Sequence, residues 1–255
     1  MWRASMPRAD DVTALRRARE QFDLRPLAIH VNYLINLASV DPAIRPRSIA
    51  AFRGELERAD AIGAEYLVTH PGSYKGQPLE QALAAFALGL AEAAGGRTPA
   101  VTVLLENTAG SGFHIGGRLE ELRMIRELAA RETSLRVGYC LDTCHLFAAG
   151  FDLSSEAGLK KTVAEAERIL GLENVKVIHA NDSKGGLGSH LDRHENIGEG
   201  HIGKEGFRRI LAHPALRKKA FILETPYEED GDDRRNVEIL KKLAQPAGRR
   251  GTRRR

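Results

Sequence analysis

Short apolar or β-branched runs alternate with longer segments of helical periodicity along most of the chain. Six such runs predict strands: Leu27–Ile29, Tyr66–Thr69, Val101–Leu105, Arg136–Leu141, Val175–Ile178 and Phe221–Leu223. Helices are predicted around Ala9–Gln21 and over Arg47–Ile62, Glu80–Ala94, Leu119–Arg131 and Leu159–Leu170. Strands that alternate with helices indicate βαβ units and a parallel sheet, and no linker divides residues 1–244 into two domains.

Each predicted strand ends at a side chain that can bind a metal ion. These residues are His30, His70, Glu106, Asp142, His179 and Glu224, spaced 40, 36, 36, 37 and 45 residues apart. The carboxyl ends of parallel strands converge on one face of a barrel or doubly wound sheet, where active sites lie. One polar residue at a strand end is common, but the same position in all six strands is difficult to obtain by chance.

Three further side chains extend this set. His145 follows Asp142 in the sequence Asp-Thr-Cys-His, and Asp192 and His194 lie in the glycine-rich segment after His179. The nine residues comprise five histidines, two aspartates and two glutamates, which suit zinc or another divalent first-row metal. Nine ligands exceed the needs of one ion but suffice for two or three, an arrangement typical of phosphodiester chemistry.

The remaining histidines and the two cysteines are weaker candidates. His114, His190, His201 and His213 do not follow predicted strands and are interpreted as ordinary surface or loop residues. A thiol at Cys140 or Cys144, on either side of Asp142, can bind zinc, but buried cysteine that fills the core is favoured. Two cysteines in one strand-like segment exclude a disulfide framework.

Composition favours a single soluble domain without a membrane partner. The chain has 255 residues, of which 42% are hydrophobic and 28% charged, a length common for α/β barrels. The longest apolar-rich run, Ala82–Ala94, is too short to span a membrane, and the N-terminus has no apolar signal core. We therefore predict a cytoplasmic protein.

The net charge of +4 arises at the carboxyl end of the chain. Five of the 38 basic residues lie in Gln245–Arg255, which contains no acid, so the rest carries 33 basic against 34 acidic residues. We predict that this tail is disordered. It either adds nonspecific affinity for phosphate backbones or is a functionally idle end.

Six colinear motifs between Ala28 and Pro226 resemble the endonuclease IV family of apurinic/apyrimidinic (AP) endonucleases. They are HVNYLINLAS, THPGSYKG, LLENTAG, CLDTCHLFAAGFD, IHANDSKGGLGSHLDRHENIGEGHIG and FILETP. The DTCH and SHLDRHENIGEGHIG blocks are highly specific. The resemblance implies an α/β fold of the TIM (β/α)8 type, of the xylose-isomerase-like superfamily. It also implies a hydrolase of the deoxyribonuclease IV type that cuts DNA 5′ to abasic sites in base excision repair.

The resemblance further implies three zinc ions and assigns their ligands. His30 and His70 would hold the first ion, and Glu106 would bridge it to the second. The second ion would be completed by Asp142, His179 and Glu224, and the third would be held by His145, Asp192 and His194. A metal-activated hydroxide would attack the phosphorus without a covalent intermediate, with Glu106 orienting the nucleophile and the third ion stabilising the departing 3′ oxygen.

DNA contacts are implied for loops at the same end of the strands. The partner is double-stranded DNA with abasic sites, bound by a monomer. Tyr33 and Leu34 match a Tyr-Leu pair that enters the duplex at the lesion, although from the residues alone they would be interpreted as capping the barrel core. Arg193, between two predicted ligands, either contacts a phosphate or pairs with a ligand carboxylate.

The chain departs from the family pattern at its start. Family members have two further strands and a helix before the position where this chain begins, so six of eight barrel strands are expected, with two open sheet edges. We expect a start codon further upstream rather than a shortened homologue. Ser111 also stands where an amide side chain is expected after the ENTAG motif, which would alter a DNA contact.

Two other functions remain open from the sequence. Sugar isomerases and epimerases of the same barrel superfamily also place His, Glu and Asp at strand ends around divalent metals. The Asp192-Arg-His194 pair and its glycine-rich surroundings argue against that function. The other alternative is an inactive, truncated DNA-binding homologue.

Overall fold

The computed structural model describes residues 4–245, which form a six-stranded parallel sheet and a separate two-stranded pair. The strands are β1 (Ala28–His30), β2 (Tyr66–Thr69), β3 (Thr102–Glu106), β4 (Val137–Asp142), β5 (Val175–His179), β6 (Asp182–Ser183), β7 (His194–Glu195) and β8 (Ala220–Ile222). The large sheet has the order β1-β2-β3-β4-β5-β8, in which each strand pairs in parallel with the next. This is the predicted six-stranded part of a (β/α)8-type barrel, and β1 and β8 form its edges.

Helices connect the strands along the chain. They are α1 (Ala9–Phe22), α2 (Ile44–Ile62), α3 (Leu79–Ala94), α4 (Leu119–Glu132), α5 (Thr143–Ala148), α6 (Glu156–Leu170), α7 (Gly203–Ala212) and α8 (Asp232–Leu243). The helices predicted by periodicity are confirmed, with ends that differ by up to three residues. Helix α2 starts before Arg47 because Pro46 lies in its first turn, where proline is tolerated.

Alternation of side chains along the strands determines where the predicted ligands lie. One face of the sheet packs against the helices through a large core that includes Phe52, Phe86 and Leu105. The other face carries a smaller apolar cluster, whose strand residues include Ala28, Val68, Leu104, Cys140, Val177 and Ile222. Because successive side chains in a strand point to opposite faces, the residue two positions later lies on the same face as each of these. Those residues are His30, His70, Glu106, Asp142, His179 and Glu224.

The glycine-rich segment after β5 contains regular structure that its composition does not predict. Strands β6 and β7 pair in antiparallel fashion, with Asp182 opposite Glu195 and Ser183 opposite His194. Each strand has only two residues, which is too short for an alternating pattern to be recognised. The pairing makes residues 184–193 the loop of a hairpin and fixes the position of His194.

No helix within residues 4–245 is both long enough and apolar enough to cross a membrane. Cys140 and Cys144 are buried and free, as predicted. Apart from Gln245, the predicted basic tail Gln245–Arg255 lies outside the described residues.

Candidate metal centre

Glu106 lies at the centre of the ligand cluster, and its two carboxylate oxygens face different side chains. Its Oε2 lies 2.8 Å from Nε2 of His30 and 3.5 Å from Nε2 of His70. Its Oε1 lies 2.7 Å from Nδ1 of His179, which lies 3.0 Å from Oε2 of Glu224. Glu106 therefore belongs to two groups, His30–His70–Glu106 and Glu106–Asp142–His179–Glu224. Within each group, the possible ligand atoms all lie within 4.8 Å of one another.

A third group forms where helix α5 approaches the β6–β7 hairpin. Nε2 of His145, in the first turn of α5, lies 3.1 Å from Oδ1 of Asp192 and 3.4 Å from Nε2 of His194. Asp192 comes from the hairpin loop and His194 from strand β7. The structure thus gathers all nine predicted residues into three groups, each with the donor atoms that a metal ion requires. Their role as ligands stays a prediction.

Backbone carbonyl oxygens orient three of the histidines. The distances from Nδ1 to the carbonyl oxygen are 2.8 Å for His30 and Val31, 3.0 Å for His145 and Asn107, and 2.9 Å for His194 and Glu224. A carbonyl oxygen only accepts, so the neutral ring carries its proton on Nδ1 and presents the Nε2 lone pair to the cluster. Metal-binding histidines adopt this arrangement.

Four carboxylates, those of Glu106, Asp142, Asp192 and Glu224, bring negative charge into the cluster. Within residues 4–245, all the ion-pair partners of Glu106, Asp142, Asp192 and Glu224 are histidines. Burial would raise the pKa of Glu106, but the surrounding histidines outweigh burial and hold it well below its usual range. The hydrogen bond from His145 is the main cause that lowers the pKa of Asp192 to about 2. Both carboxylates are therefore ionised at neutral pH.

The histidines respond to this negative charge. Burial would lower the pKa of His145, but Asp142 and Asp192 outweigh it and raise the pKa to about 10. Glu106 likewise raises the pKa of His179 against the effect of burial. Burial lowers the pKa of His70, whose buried Nδ1 has no hydrogen-bond partner among the described residues. In the metal-free protein, protonated histidines supply the positive charge that balances the carboxylates. A divalent cation such as zinc would supply the same charge, so the residues fit a metal centre.

The two thiols also lie beside these groups. Cys140 lies within 4.8 Å of the ligand atoms of Glu106 and His179, and Cys144 is equally close to those of Asp142 and His194. Burial raises the pKa of both thiols to about 12, which disfavours the thiolate that a metal would require. Cys140 also packs in the smaller apolar cluster, on the face of the sheet that carries the candidate ligands, in keeping with its predicted role as core filler.

A family model and several similar proteins match most of this chain. The family model for xylose isomerase-like TIM barrels matches residues 2–244. A probable endonuclease 4 from Solibacter usitatus is 63% identical over 245 residues, which are 96% of this chain and 84% of that protein. The chain belongs to the endonuclease IV family. A probable endonuclease 4 from Methanoculleus marisnigri is 42% identical and covers 91% of this chain and 82% of its own.

Solved structures agree with this assignment. Endonuclease IV from Thermus thermophilus matches with a TM-score of 0.81 at 37% identity, over 95% of this chain and 84% of that one. A D-tagatose 3-epimerase-like protein, with a TM-score of 0.68 and 21% identity over 92% of this chain and 83% of that one, shows the shared fold alone. The predicted family, TIM-barrel fold and enzyme class, a hydrolytic nuclease, are confirmed.

Two asparagines of this endonuclease IV family member bond the candidate ligands Asp142 and Glu224, mostly through their backbone. Asn107 Nδ2 donates to the carbonyl oxygen of Asp142 at 3.2 Å, and the Asp142 amide donates to Asn107 Oδ1 at 2.8 Å. Asn181 Nδ2 donates to Oδ2 of Asp142 at 2.5 Å, and its Oδ1 accepts from the Glu224 amide at 2.8 Å. Neither asparagine was predicted from the sequence. The sequence feature that could have revealed them is an asparagine one or two positions after a candidate ligand at a strand end.

The predicted DNA-contacting residues lie on exposed loops after strand ends. Tyr33, three residues after His30, is 85% exposed, so it does not cap the barrel core. Leu34 is half-buried, and its amide donates to Oδ1 of Asn32 at 2.9 Å. Arg193 is exposed and donates to the carbonyl oxygen of Asp192 at 2.8 Å; within residues 4–245 it forms no ion pair. Pairing of Arg193 with a ligand carboxylate is therefore not observed in the described part of the chain.

The histidines interpreted as ordinary residues lie outside the three groups, as far as the described residues show. Nδ1 of His190 lies 2.8 Å from the carbonyl oxygen of Ala109, which ties the hairpin loop to the loop after β3. His114 lies beside Ser111, with 3.5 Å between Nδ1 and Oγ. These contacts give both residues a local structural role.

Zinc binding to the metal-free protein is expected to release at least one proton at about pH 8. The raised pKa of His145, about 10, keeps its ring protonated at this pH, whereas a ligand imidazole must be neutral. The affinity should therefore rise with pH until the pKa of His145 is passed. Calorimetric titration in two buffers of different ionisation enthalpy measures the released protons. Equal binding heats in both buffers would contradict the protonated state.

Proposed function

We propose that the chain is a zinc-dependent class II AP endonuclease that hydrolyses the DNA phosphodiester 5′ to an abasic site. The observation that supports this most is the position of Glu106, whose two oxygens face two different groups of ligand atoms. Paired metal sites that share a carboxylate suit phosphodiester hydrolysis. The protein would act as a monomer in the cytoplasm, in base excision repair.

Each group would hold one of three zinc ions. Zinc supplies Lewis-acid stabilisation of phosphate oxygens and lowers the pKa of bound water. Glu106, ionised and buried, would orient the attacking water between the first two groups. The group of His145, Asp192 and His194 is assigned to the departing 3′ oxygen. A cysteine nucleophile is disfavoured, because Cys140 and Cys144 are buried and have a pKa of about 12.

DNA would be read by the loops around the centre. Tyr33 and Leu34 would enter the duplex and lower the free energy of extruding the abasic nucleotide. The exposed guanidinium of Arg193, between two proposed ligands, would contact a backbone phosphate. The exposure of Tyr33 supports this role, since an aromatic ring that projects into solvent can stack on a base.

The double variant Tyr33→Ala, Leu34→Ala is expected to weaken binding to an abasic duplex by about 10-fold or more, because stacking on a base contributes about 1–3 kcal/mol. Fluorescence anisotropy with a labelled duplex measures the affinity. The matched control is Phe22→Ala, Leu24→Ala, since these residues are 64% and 54% exposed and precede β1 at its opposite end. Equal losses of affinity in both double variants would argue against insertion of Tyr33 and Leu34 into the duplex.

The function is tested with a duplex that contains one abasic site. Zinc-loaded protein should cut it on the 5′ side and leave a 3′ hydroxyl that a DNA polymerase extends, and an undamaged duplex should stay intact. A chelator should abolish cleavage, and added zinc should restore it. Absence of cleavage by folded, zinc-loaded protein would contradict the proposal and indicate an inactive homologue. Metal-dependent interconversion of ketoses would instead support a sugar isomerase or epimerase.

A further inference from the structure

Asp182, the first residue of β6, carries a fully buried carboxylate whose partners are backbone amides. Oδ1 accepts from the amides of Ser183 at 2.8 Å and Ile202 at 2.9 Å. Oδ2 accepts from those of Gly198 at 2.9 Å and Gly203 at 3.2 Å. Within residues 4–245 it forms no ion pair with a cationic side chain. This carboxylate therefore interacts with the chain itself rather than with the metal groups.

These hydrogen bonds fold residues 198–203 back onto β6. The Ile202 and Gly203 amides lie at the start of helix α7, where amides lack helical partners and attract negative charge. The His201 amide also donates to the carbonyl oxygen of Ser183 at 2.8 Å. Gly200 lies so close that a Cβ there would be 2.6 Å from Oδ1 of Asp182 and 2.5 Å from the Ser183 carbonyl oxygen. Asp182 is thus packed tightly into the base of the hairpin.

The hairpin built on Asp182 carries two members of the third group. Ser183, next to Asp182, pairs with His194, and the Lys184 amide donates to the Arg193 carbonyl oxygen at 3.0 Å. Strand β6 is thereby bonded both to β7 and to residues 198–203, the segment that Asp182 holds. The ion-pair partners of Asp192, itself exposed, are His145 and His194. The other two groups come from the ends of the large sheet.

We propose that Asp182 is a positioning residue for the His145–Asp192–His194 group. Its carboxylate holds the hairpin so that Asp192 and His194 meet His145, and the two groups that share Glu106 do not depend on it. The inference rests on the proposed function, because it assumes that the three groups bind metal. One ion of a three-ion centre would then depend on a residue that the other two ions do not need.

The variant Asp182→Asn tests this directly. An amide keeps the size of the side chain but replaces one acceptor oxygen with a donor, which leaves backbone amides without partners. We expect the third-group zinc affinity to fall by about 10–100-fold, as is typical when a residue that supports a ligand is lost. After dialysis against a mild chelator, the variant should hold one zinc equivalent fewer than the wild-type chain. Atomic absorption counts the zinc, and the spectrum of the cobalt-substituted protein reports which environment has changed.

Asp152→Asn is the matched control, because Asp152 also accepts from backbone amides, those of Ser154 and Ser155, but lies before α6. If Asp182→Asn fails to fold, Gly200→Ala tests the same contact by displacing the carboxylate. Its control is Gly186→Ala in the same hairpin, where an added Cβ meets nothing within 4 Å. Both controls should retain the wild-type zinc content.

The outcomes separate this inference from the proposed function. Loss of one equivalent in Asp182→Asn or Gly200→Ala, with both controls unchanged, supports the inference. A folded variant that retains every equivalent with wild-type affinity would overturn it, as would a folded variant that loses all zinc, because control would then not be selective. A wild-type chain that binds no zinc would instead refute the proposed metal centre.

Discussion

Replacing Glu106 with glutamine is expected to slow cleavage at an abasic site by about 10²- to 10⁴-fold. Glutamine has nearly the same size, but it is neutral and turns one of the two shared oxygens into a donor. Either His30 or His179 would then face an NH₂ group where it now faces a carboxylate oxygen at 2.8 or 2.7 Å. A positioned side chain that accepts or orients a proton in the reaction typically contributes about 10²- to 10⁴-fold to the rate, which gives this range. Single-turnover cleavage of an abasic duplex measures the chemical step.

The control for Glu106→Gln is Glu65→Gln. Glu65 also has charged and backbone partners, since it pairs with Arg19 at 2.6 Å and accepts from the Leu27 amide at 2.7 Å. It precedes β2, at the opposite end of the sheet from the ligands. Glu65→Gln should therefore lower stability slightly and leave the cleavage rate unchanged. A rate near wild type in Glu106→Gln would show that Glu106 does not orient the nucleophile.

The ends of the six strands of the large sheet were predictable because their pattern repeats. Each of the six ends combines an apolar run with a polar residue on the inner face of the sheet, which is the face that carries the smaller apolar cluster. Parallel pairing then brings these polar residues together. The positions of α1, α2, α3, α4 and α6 followed from periodicity, apart from starts such as that of α2, where Pro46 lies in the first turn. Helices α5, α7 and α8 were not predicted. Local sequence therefore contained most of the information about the sheet and its inner face.

The β6–β7 hairpin was not predictable in the same way. Its strands have two residues each, and the interactions that hold them come from amides at Gly198, Ile202 and Gly203, up to 21 residues from Asp182. Such contacts leave no periodic pattern. The supporting roles of Asn107 and Asn181 likewise depend on neighbouring strands. The nine candidate ligands could be predicted from residue type and position, whereas their geometric division into three groups required the fold.

The variant His145→Asn is expected to lose one zinc equivalent and to slow cleavage by about 10²-fold or more, since even residues that only support a ligand cost 10–100-fold in affinity or activity. The His145 ring is oriented by the Asn107 carbonyl oxygen at 3.0 Å, and its Nε2 approaches Asp192 and His194. Asparagine can keep a donor for that carbonyl oxygen but removes the imidazole from the group. Zinc analysis and single-turnover kinetics on the same preparation measure both effects.

The control for this variant is His190→Asn, because His190 also places Nδ1 near a carbonyl oxygen, at 2.8 Å, yet lies outside the three groups of the described chain. Asparagine also suits its positive φ of 53°. A substrate with sulfur in place of the departing 3′ oxygen gives the sharper test, since a thiolate leaves with less stabilisation than an alkoxide. If the third group stabilises the leaving atom, this substrate should recover a larger part of the rate in His145→Asn than in Glu106→Gln. Equal recovery in the two variants would place the third group elsewhere in the reaction, for example in holding the phosphate.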